Sequence, residues 1–272
     1  MYLTEANSGW RRKSKQWQAL PVVAFLYIAV AAATPELQEL PLAERLGMDI
    51  ARDERSKPNL IVPLLALKKG DRVMDIFAGG GYYSEILARL VGDTGEVLLH
   101  NNRGFRAWGI NILNARFNDR QAPANITRYD REMKELGLAP ESLDAAIMVM
   151  AFHDLYVVPT RYNGEKYVPV GKPADVDAFG AQILKALRPG GRFVVIDHAA
   201  ADSMSRAEAL QLHRIHEKYA RAELERLEFD YVGRSDVLSN PADDYEAIVF
   251  DPHVKGHTDR FVLIFQKGPV KK

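Results

Sequence analysis

Two kinds of apolar pattern alternate along the chain from Arg72 onward. Short apolar runs predict buried strands, and longer segments with apolar residues every three or four positions predict helices lying on a sheet. The predicted strands are Val73–Phe77, Val97–Leu99, Ile126–Tyr129, Asp144–Met150 and Arg192–Ile196, with two more around Tyr231 and at Phe261–Phe265. The predicted helices are Asn59–Leu67, Tyr83–Val91, Phe105–Phe117, Asp175–Leu187 and one long helix at Ser205–Leu227.

This order of elements predicts the fold class. Strands that alternate with helices favour an α/β fold with a mostly parallel sheet and helices on both faces. The last two strands have no helix between them, which predicts an antiparallel pairing at one edge. We therefore expect a Rossmann-like sheet of seven strands, mostly parallel, with an antiparallel edge strand.

The N-terminus carries a separate signal. A basic run, Arg11–Lys15, precedes an apolar stretch from Ala19 to Ala33, which closes on small residues. Basic, apolar and small segments in that order predict a secretory signal peptide. The stretch is shorter than the roughly 20 residues of a membrane span. An uncleaved anchor with the domain facing outward and an N-terminal helix of a cytoplasmic protein are the alternatives.

The length and composition of the chain indicate how it divides into domains and which classes of partner it binds. We assign residues 1–33 to the signal or anchor, 34–57 to a linker and N-terminal helix, and 58–272 to one domain. Lys plus Arg and Asp plus Glu both number 36, so the chain lacks the basic excess of a nucleic-acid binder. The absence of cysteine excludes disulfides, thiolate metal sites and cysteine nucleophiles. We expect membrane contact only through the N-terminal segment, if it is uncleaved.

A glycine-rich loop follows the first strand. The strand ends in Asp75, and Gly79, Gly80 and Gly81 precede a helix, where a parallel sheet binds ligands. A dinucleotide site would carry an acidic residue about 20 positions after the glycines, where this chain has the neutral Asn101. The Asp75 carboxylate instead suits the positive ammonium and sulfonium groups of S-adenosylmethionine. A tight turn that binds no ligand is the alternative.

Around this loop the sequence resembles a known family. Val73–Gly81 resembles motif I of the class I S-adenosylmethionine-dependent methyltransferases. From about Ala51 to Lys267 the chain is similar to predicted, mostly exported bacterial methyltransferases of unassigned substrate. The segments that carry this similarity are Lys68–Asp71, Gly79–Tyr83, Phe152–Leu155, Pro189–Gly191, Asp197–Ala200, Leu212–Ile215, Ser235–Leu238, Asn240–Asp244, Phe250–Pro252 and Thr258–Phe261.

The resemblance implies which residues bind the cofactor. S-adenosylmethionine would be held by Asp75, Gly79, Gly81 and Tyr82. Asn101 stands where the family has an acid for the ribose hydroxyls, and Asp130 stands where such enzymes often hold the adenine amino group. Phe77 replaces the first glycine of the usual motif.

The candidate catalytic residues follow the later strands. His153 and Asp154 come after the fourth strand, Asp197 and His198 after the fifth, and His213 lies in the predicted long helix. Carboxyl ends of parallel strands meet at one edge, so pairing within a dipeptide or across them, as His153 with Asp197, is open. We expect His153 or His198 to act as base or substrate anchor, oriented by an aspartate. A structural role for each histidine is the alternative.

Two further sequence patterns are weaker indications of a functional site. His213 and His216 lie three apart with Glu217 next, but H-x-x-H-E matches neither H-E-x-x-H nor H-x-x-E-H, so we predict no metal site. Asp243 and Asp244 are best explained by turn formation.

These patterns favour an S-adenosylmethionine-dependent methyltransferase that acts on a small molecule. The alternative is an exported domain that keeps the fold and binds a small ligand without methylating it.

Overall fold

The computed structural model describes residues 45–120, 122–169 and 172–269. The predicted signal or anchor at residues 1–33 lies outside the described residues. Within the described ranges, no helix has both the length and the apolar character to cross a bilayer.

Nine strands and seven α-helices make up the described chain. In chain order they are α1 Gly47–Ser56, α2 Pro58–Ile61, β1 Arg72–Ile76, α3 Tyr82–Val91, β2 Glu96–Asn101, α4 Arg103–Phe117, β3 Ile126–Asp130, β4 Leu143–Val149, β5 Thr160–Tyr162, β6 Tyr167–Pro169, α5 Val176–Ala186, β7 Leu187–His198, α6 Arg206–Gln211, α7 Glu217–Arg226, β8 Phe229–Ser235 and β9 Arg260–Lys267. Two 3₁₀ segments, Val62–Leu65 and His153–Tyr156, complete it.

Seven of the strands form one sheet, in the order β3-β2-β1-β4-β7-β9-β8. The pairs among β3, β2, β1, β4 and β7 are parallel, whereas β9 runs antiparallel to both β7 and β8. The predicted fold class is therefore confirmed, including the antiparallel pairing of the last two strands at one edge. The strand order reverses between β1 and β4, which is where open α/β sheets bind ligands.

Both faces of the central strands of this sheet are buried. Successive strand residues point to opposite faces. Met74 accordingly belongs to one apolar cluster and Val73 to the other, as do Val195 and Val194. Burial on both faces explains why the strands read as continuous apolar runs.

The predicted long helix at Ser205–Leu227 is wrong. Helix α6 ends at Gln211, α7 begins at Glu217, and the backbone turns left-handed at His213, with φ 56°. The connection pairs with the end of β7, because Ile215 N–H donates to the His198 carbonyl at 3.0 Å and Ala200 N–H to the Ile215 carbonyl at 3.1 Å. Tertiary hydrogen bonds thus outweigh the local helical pattern.

The first predicted helix, Asn59–Leu67, is also interrupted. Helix α2 ends at Ile61, and the chain continues as the 3₁₀ segment Val62–Leu65. Pro63 lacks the N–H that would continue the α-helical hydrogen bonds.

Candidate functional site

The glycine loop, residues 77–81, joins the end of β1 to the start of α3. Asp75, beneath the loop, is only 3% exposed and accepts a hydrogen bond from Ser84 Oγ at 2.7 Å. Burial raises the pKa of Asp75 to about 6, although the hydrogen bond from Ser84 acts in the opposite direction. Near neutral pH the loop therefore lies over a largely ionised, buried carboxylate.

The Asn101 side chain, at the end of β2, holds the glycine loop in place by hydrogen bonds to its backbone. Its Oδ1 accepts from Gly79 N–H at 2.9 Å, and its Nδ2 donates to the Gly79 carbonyl at 3.0 Å. The side chain is fully buried, and both its polar atoms are occupied by Gly79. Contact of Asn101 with a ribose stays a prediction; the contact present in the fold is with the loop backbone.

Helix α4 packs directly on the loop through Gly109. A Cβ at this position would lie 2.6 Å from the Gly79 carbonyl carbon and 2.9 Å from the Gly80 nitrogen. Sequence reasoning missed Gly109. The available signal was an isolated glycine inside a predicted helix, which often marks a close approach.

Phe77, in place of the usual first glycine, adopts a left-handed backbone with φ 55°. Glycine would adopt this conformation without strain. The Phe77 ring is buried and stacks on Phe105, with 4.5 Å between ring centroids, and on Phe179 at 5.7 Å. Aromatic packing thus compensates for an unfavourable backbone conformation.

Arg116, from the end of α4, was also missed by the sequence analysis. Its guanidinium is fully buried and donates to the Gly80 carbonyl at 2.7 Å, to Asp49 at 2.8 Å and to Glu85. These bonds tie the loop to α1 and α3. A helical pattern alone does not reveal that a charged residue near a helix end is buried.

The other predicted cofactor-binding residues, Gly81, Tyr82 and Asp130, lie at three different places around the loop and the sheet. Gly81 ends the loop with φ 81° and caps α3. Tyr82 faces α1, where its hydroxyl donates to Asp53 at 2.7 Å. Asp130 is at the exposed end of β3, 3.7 Å from Arg106. Asp75, Gly79, Gly81 and Asn101 are thus brought together at the loop.

A second polar cluster forms beyond β4 and β7. The Nδ1 of His153 lies 2.8 Å from Asp197 Oδ1, and the His153 backbone N–H donates to Asp197 Oδ2 at 2.8 Å. A carboxylate only accepts, so His153 donates from Nδ1 and leaves Nε2 free to accept or bind. The pairing across the two dipeptides, one of the two possibilities left open by the sequence, is the one that forms.

Electrostatic attraction between the side chains of His153 and Asp197 stabilises their buried pair. Burial alone would lower the pKa of His153, but attraction to Asp197 and the hydrogen bond between them raise it above its usual value. Burial alone would raise the pKa of Asp197, and His153 lowers it instead. The pair therefore keeps Asp197 ionised and His153 well oriented.

Asp154 and His213 complete the cluster from two other directions. His153 Nε2 lies 3.2 Å from His213 Nδ1 and 3.4 Å from Asp154 Oδ1. His213 Nδ1 lies 3.5 Å from the same Asp154 oxygen. Both side chains are about 30% exposed, whereas His153 is buried, so the cluster opens to solvent on the Asp154 and His213 side.

The His198 ring lies apart from this cluster, although its backbone N–H donates to Asp197 Oδ1 at 2.7 Å. Its ring centroid lies 6.1 Å from that of His153, and its Nδ1 lies 2.7 Å from Thr258 Oγ1. Burial lowers the pKa of His198 to about 3, despite attraction to Asp197. Four of the five predicted catalytic residues thus converge, and His198 is a neutral buried neighbour of Thr258.

The two late aspartates shape turns, as the sequence predicted. Asp243 accepts from Tyr245 N–H at 3.1 Å, and Asp244 accepts from Glu246 N–H at 3.0 Å. Asp243 also binds the buried Arg214 guanidinium through both oxygens, at 2.7 and 3.0 Å. This pair holds the late loop against the connection between α6 and α7.

Several solved structures resemble this chain in overall fold. A SAM-dependent methyltransferase from Aquifex aeolicus aligns with 80% of this chain and 93% of its own, at a TM-score of 0.53 and 16% identity. The geranyl diphosphate C-methyltransferase of Streptomyces coelicolor, solved with S-adenosyl-L-homocysteine, aligns with 84% of this chain and 85% of its own, at 0.54 and 14% identity. The chain has the fold of the S-adenosylmethionine-dependent methyltransferases.

The methyltransferase fold also accommodates other chemistry. The [4+2]-cyclase SpnF aligns with 79% of this chain and 80% of its own, at a TM-score of 0.52 and 17% identity. No family model matches the chain. A 23S rRNA (uracil(1939)-C(5))-methyltransferase of Psychrobacter arcticus is 52% identical over 44 residues, which span 16% of this chain and 9% of that protein.

Within this methyltransferase fold the two clusters lie on adjacent strands. The glycine loop follows β1, and the histidine cluster lies at the carboxyl ends of β4 and β7. Strand β4 pairs in parallel with both β1 and β7, so all three strands end at one edge of the sheet. The site therefore has a glycine-loop side and a histidine side.

Proposed function

We propose that the protein transfers a methyl group from S-adenosylmethionine to a small-molecule acceptor. The observation that carries this proposal is the glycine loop over buried Asp75 at the reversal of strand order, beside the histidine cluster beyond β4 and β7. A donor and an acceptor bound at these two places would meet at one sheet edge.

The loop side suits the donor. The cofactor supplies a methyl group on a positively charged sulfur, and it also carries an ammonium group. Ionised Asp75 contributes a negative field beneath the loop, and the positive end of the α3 dipole, at the first turn of that helix, favours a carboxylate. Asn101 keeps the loop in place through its two hydrogen bonds to Gly79.

The histidine side suits the acceptor. Methyl transfer is an in-line displacement, in which the acceptor atom gains the methyl group and the cofactor leaves as a thioether. A base is needed when the acceptor atom carries a proton with a high pKa. His153, held by Asp197 through Nδ1, offers Nε2 for that proton. Asp154 and His213 line the solvent-open approach.

A small acceptor fits the composition better than a nucleic acid. The chain has equal numbers of basic and acidic residues, 36 each, and lacks the positive surplus that phosphate backbones attract. The short rRNA methyltransferase match covers too little of either protein to indicate an RNA substrate.

We also propose that residues 1–33 direct export of the domain or anchor it facing outward. The support is the order of the basic run, the apolar stretch and the small residues in the sequence. An exported enzyme would need a supply of cofactor outside the cytosol.

Calorimetric titration with S-adenosylmethionine and S-adenosylhomocysteine tests the cofactor assignment. Gly81→Val should weaken both at least about tenfold, or 1.4 kcal/mol, because Gly81 has φ 81° and its Cβ would lie 2.7 Å from Leu99. Gly233→Val is the matched control, since no atom lies within 4 Å of a Cβ there. Absence of binding of either ligand to the folded wild-type protein at millimolar concentration would contradict the proposal.

A further inference from the structure

Three side chains from two segments of the chain bring their donor atoms within 3.5 Å of one another. His153 and Asp154 open the 3₁₀ segment after β4, and His213 comes from the connection between α6 and α7. We infer that His153, Asp154 and His213 form a binding site for a divalent transition-metal ion of the zinc type. The inference does not depend on methyl transfer, because it concerns metal binding alone.

The distances between the three donor atoms match those between the ligand atoms of a tetrahedrally coordinated ion. The three separations among His153 Nε2, His213 Nδ1 and Asp154 Oδ1 are 3.2, 3.4 and 3.5 Å. Zinc bonds of about 2.0–2.1 Å in tetrahedral geometry place neighbouring ligand atoms about 3.3–3.4 Å apart. The cluster is therefore already at ligand spacing, and three protein ligands leave a fourth position open towards solvent.

Hydrogen bonding alone explains only part of this arrangement. A hydrogen bond from His213 Nδ1 to His153 Nε2 accounts for the 3.2 Å contact. The Asp154 oxygen, at 3.4 and 3.5 Å, is beyond the usual distance from either nitrogen. One ion between the three atoms would satisfy all of them at once.

The surroundings of His153 are those of a metal ligand. Metal-bound histidines usually donate their other ring N–H to a carboxylate, a backbone carbonyl or a water, which fixes the ring and makes the bound nitrogen more basic. Asp197 does this for His153 at 2.8 Å and is itself fully buried. His213 is packed edge-on against Phe250, with 4.8 Å between ring centroids.

The sequence predicted no metal site, and the set inferred from the structure differs from the H-x-x-H-E pattern considered there. His213 and His216 do not share a helix face, because both lie in the connection between the end of α6 at Gln211 and the start of α7 at Glu217. The Nε2 of His216 lies 3.1 Å from the carbonyl oxygens of Ala201 and Met204. The site thus combines two sequence neighbours with one histidine from 60 residues away, a combination that no linear motif shows.

A bound ion would change which part of the cluster contacts the acceptor. His153 Nε2 would then be a ligand, and the open position of the ion would take over its role towards the acceptor. Zinc lowers the pKa of a group bound at that position, so the acceptor could lose its proton near neutral pH.

Zinc titration of the purified full chain, stripped with a chelator, tests the inference directly. The readout is competition with a chromophoric zinc chelator, without cofactor or acceptor. We expect one equivalent of zinc to bind and millimolar magnesium not to displace it, since magnesium prefers six oxygen ligands. Asp154→Asn and His213→Gln should each weaken binding at least about tenfold. Both side chains are partly exposed, so these variants should fold.

His216→Gln is the matched control, and it should bind zinc as the wild type does. Folded wild-type protein that takes up no stoichiometric zinc would overturn the inference. Zinc binding that survives both Asp154→Asn and His213→Gln would also overturn it, since it would reflect surface sites. Cofactor calorimetry is a separate measurement, so either proposal can fail alone.

Discussion

Substitution of Gly109 offers a way to displace the glycine loop without changing any residue of the loop itself. A Cβ there would lie 2.6 Å from the Gly79 carbonyl carbon, 2.8 Å from its oxygen and 2.9 Å from the Gly80 nitrogen. All three obstacles are backbone atoms that Asn101 and Arg116 hold in place. Gly109→Ala must therefore push α4 and the loop apart.

The size of the effect follows from two opposing contributions. Overpacking of a tight interface destabilises a protein by about 1–3 kcal/mol. Alanine in a helix interior stabilises by up to about 1 kcal/mol relative to glycine. Contact with three backbone atoms places this substitution near the upper end of the first range, so we expect a net loss of about 1–2 kcal/mol. For a domain of this size that corresponds to a fall in Tm of about 2–8 °C.

Denaturant unfolding and calorimetry with S-adenosylhomocysteine measure the two consequences. Gly109→Ala should lower the free energy of unfolding and weaken ligand binding at least about tenfold, or 1.4 kcal/mol. Gly104→Ala makes the same change on the same helix, where the nearest atom is Asn102 Oδ1 at 3.4 Å. This control should be as stable as the wild type or more so. If the two variants have equal stability and affinity, α4 does not position the loop.

Two further predictions concern pH and export. Because the folded-state pKa of Asp75 is raised from 3.8 to about 6, its proton stabilises the fold at low pH, and this contribution is lost as pH rises through 6. Asp75→Asn stays neutral, so its stability relative to the wild type should increase by up to about 3 kcal/mol between pH 4 and pH 7; a difference that urea unfolding shows to be independent of pH would contradict the assigned pKa. For export, residues 1–40 fused to a reporter that functions only outside the cytosol should give activity, whereas a mature N-terminus at Met1 in a soluble cytosolic protein would refute it.

Much of the fold was predictable because its determinants are local. Continuous apolar runs such as Asp144–Met150 mark strands buried on both faces, and the structure has β4 at Leu143–Val149. The glycines after Asp75 marked the loop for the same reason, since a strand-to-helix turn needs residues that tolerate positive φ. Local patterns also placed His153 and Asp154 after the correct strand, and Asp197 and His198 at the correct strand end, although these two are the last residues of β7 rather than residues beyond it.

The arrangement of the site depends on contacts between distant residues. Asp197 lies 44 residues from His153 and could have paired with either histidine; only the register of β4 against β7 brings its carboxylate to the His153 ring. His213 joins them because the chain leaves the helix to pair Ile215 with the end of β7. A helical pattern predicts continuation, and it contains no information about a hydrogen bond to another strand.

By itself, then, the sequence determined the order of elements, the parallel sheet, the glycine loop and the sheet edge on which the polar residues lie. Periodicity, turn residues and charge are properties of neighbouring residues, and they are sufficient for those conclusions. Only the tertiary structure decided that Asn101 holds Gly79, that Gly109 touches the loop, and that His153, Asp154 and His213 share one point. Those outcomes depend on close packing between elements, where a single Cβ or a turn of a helix changes which atoms meet.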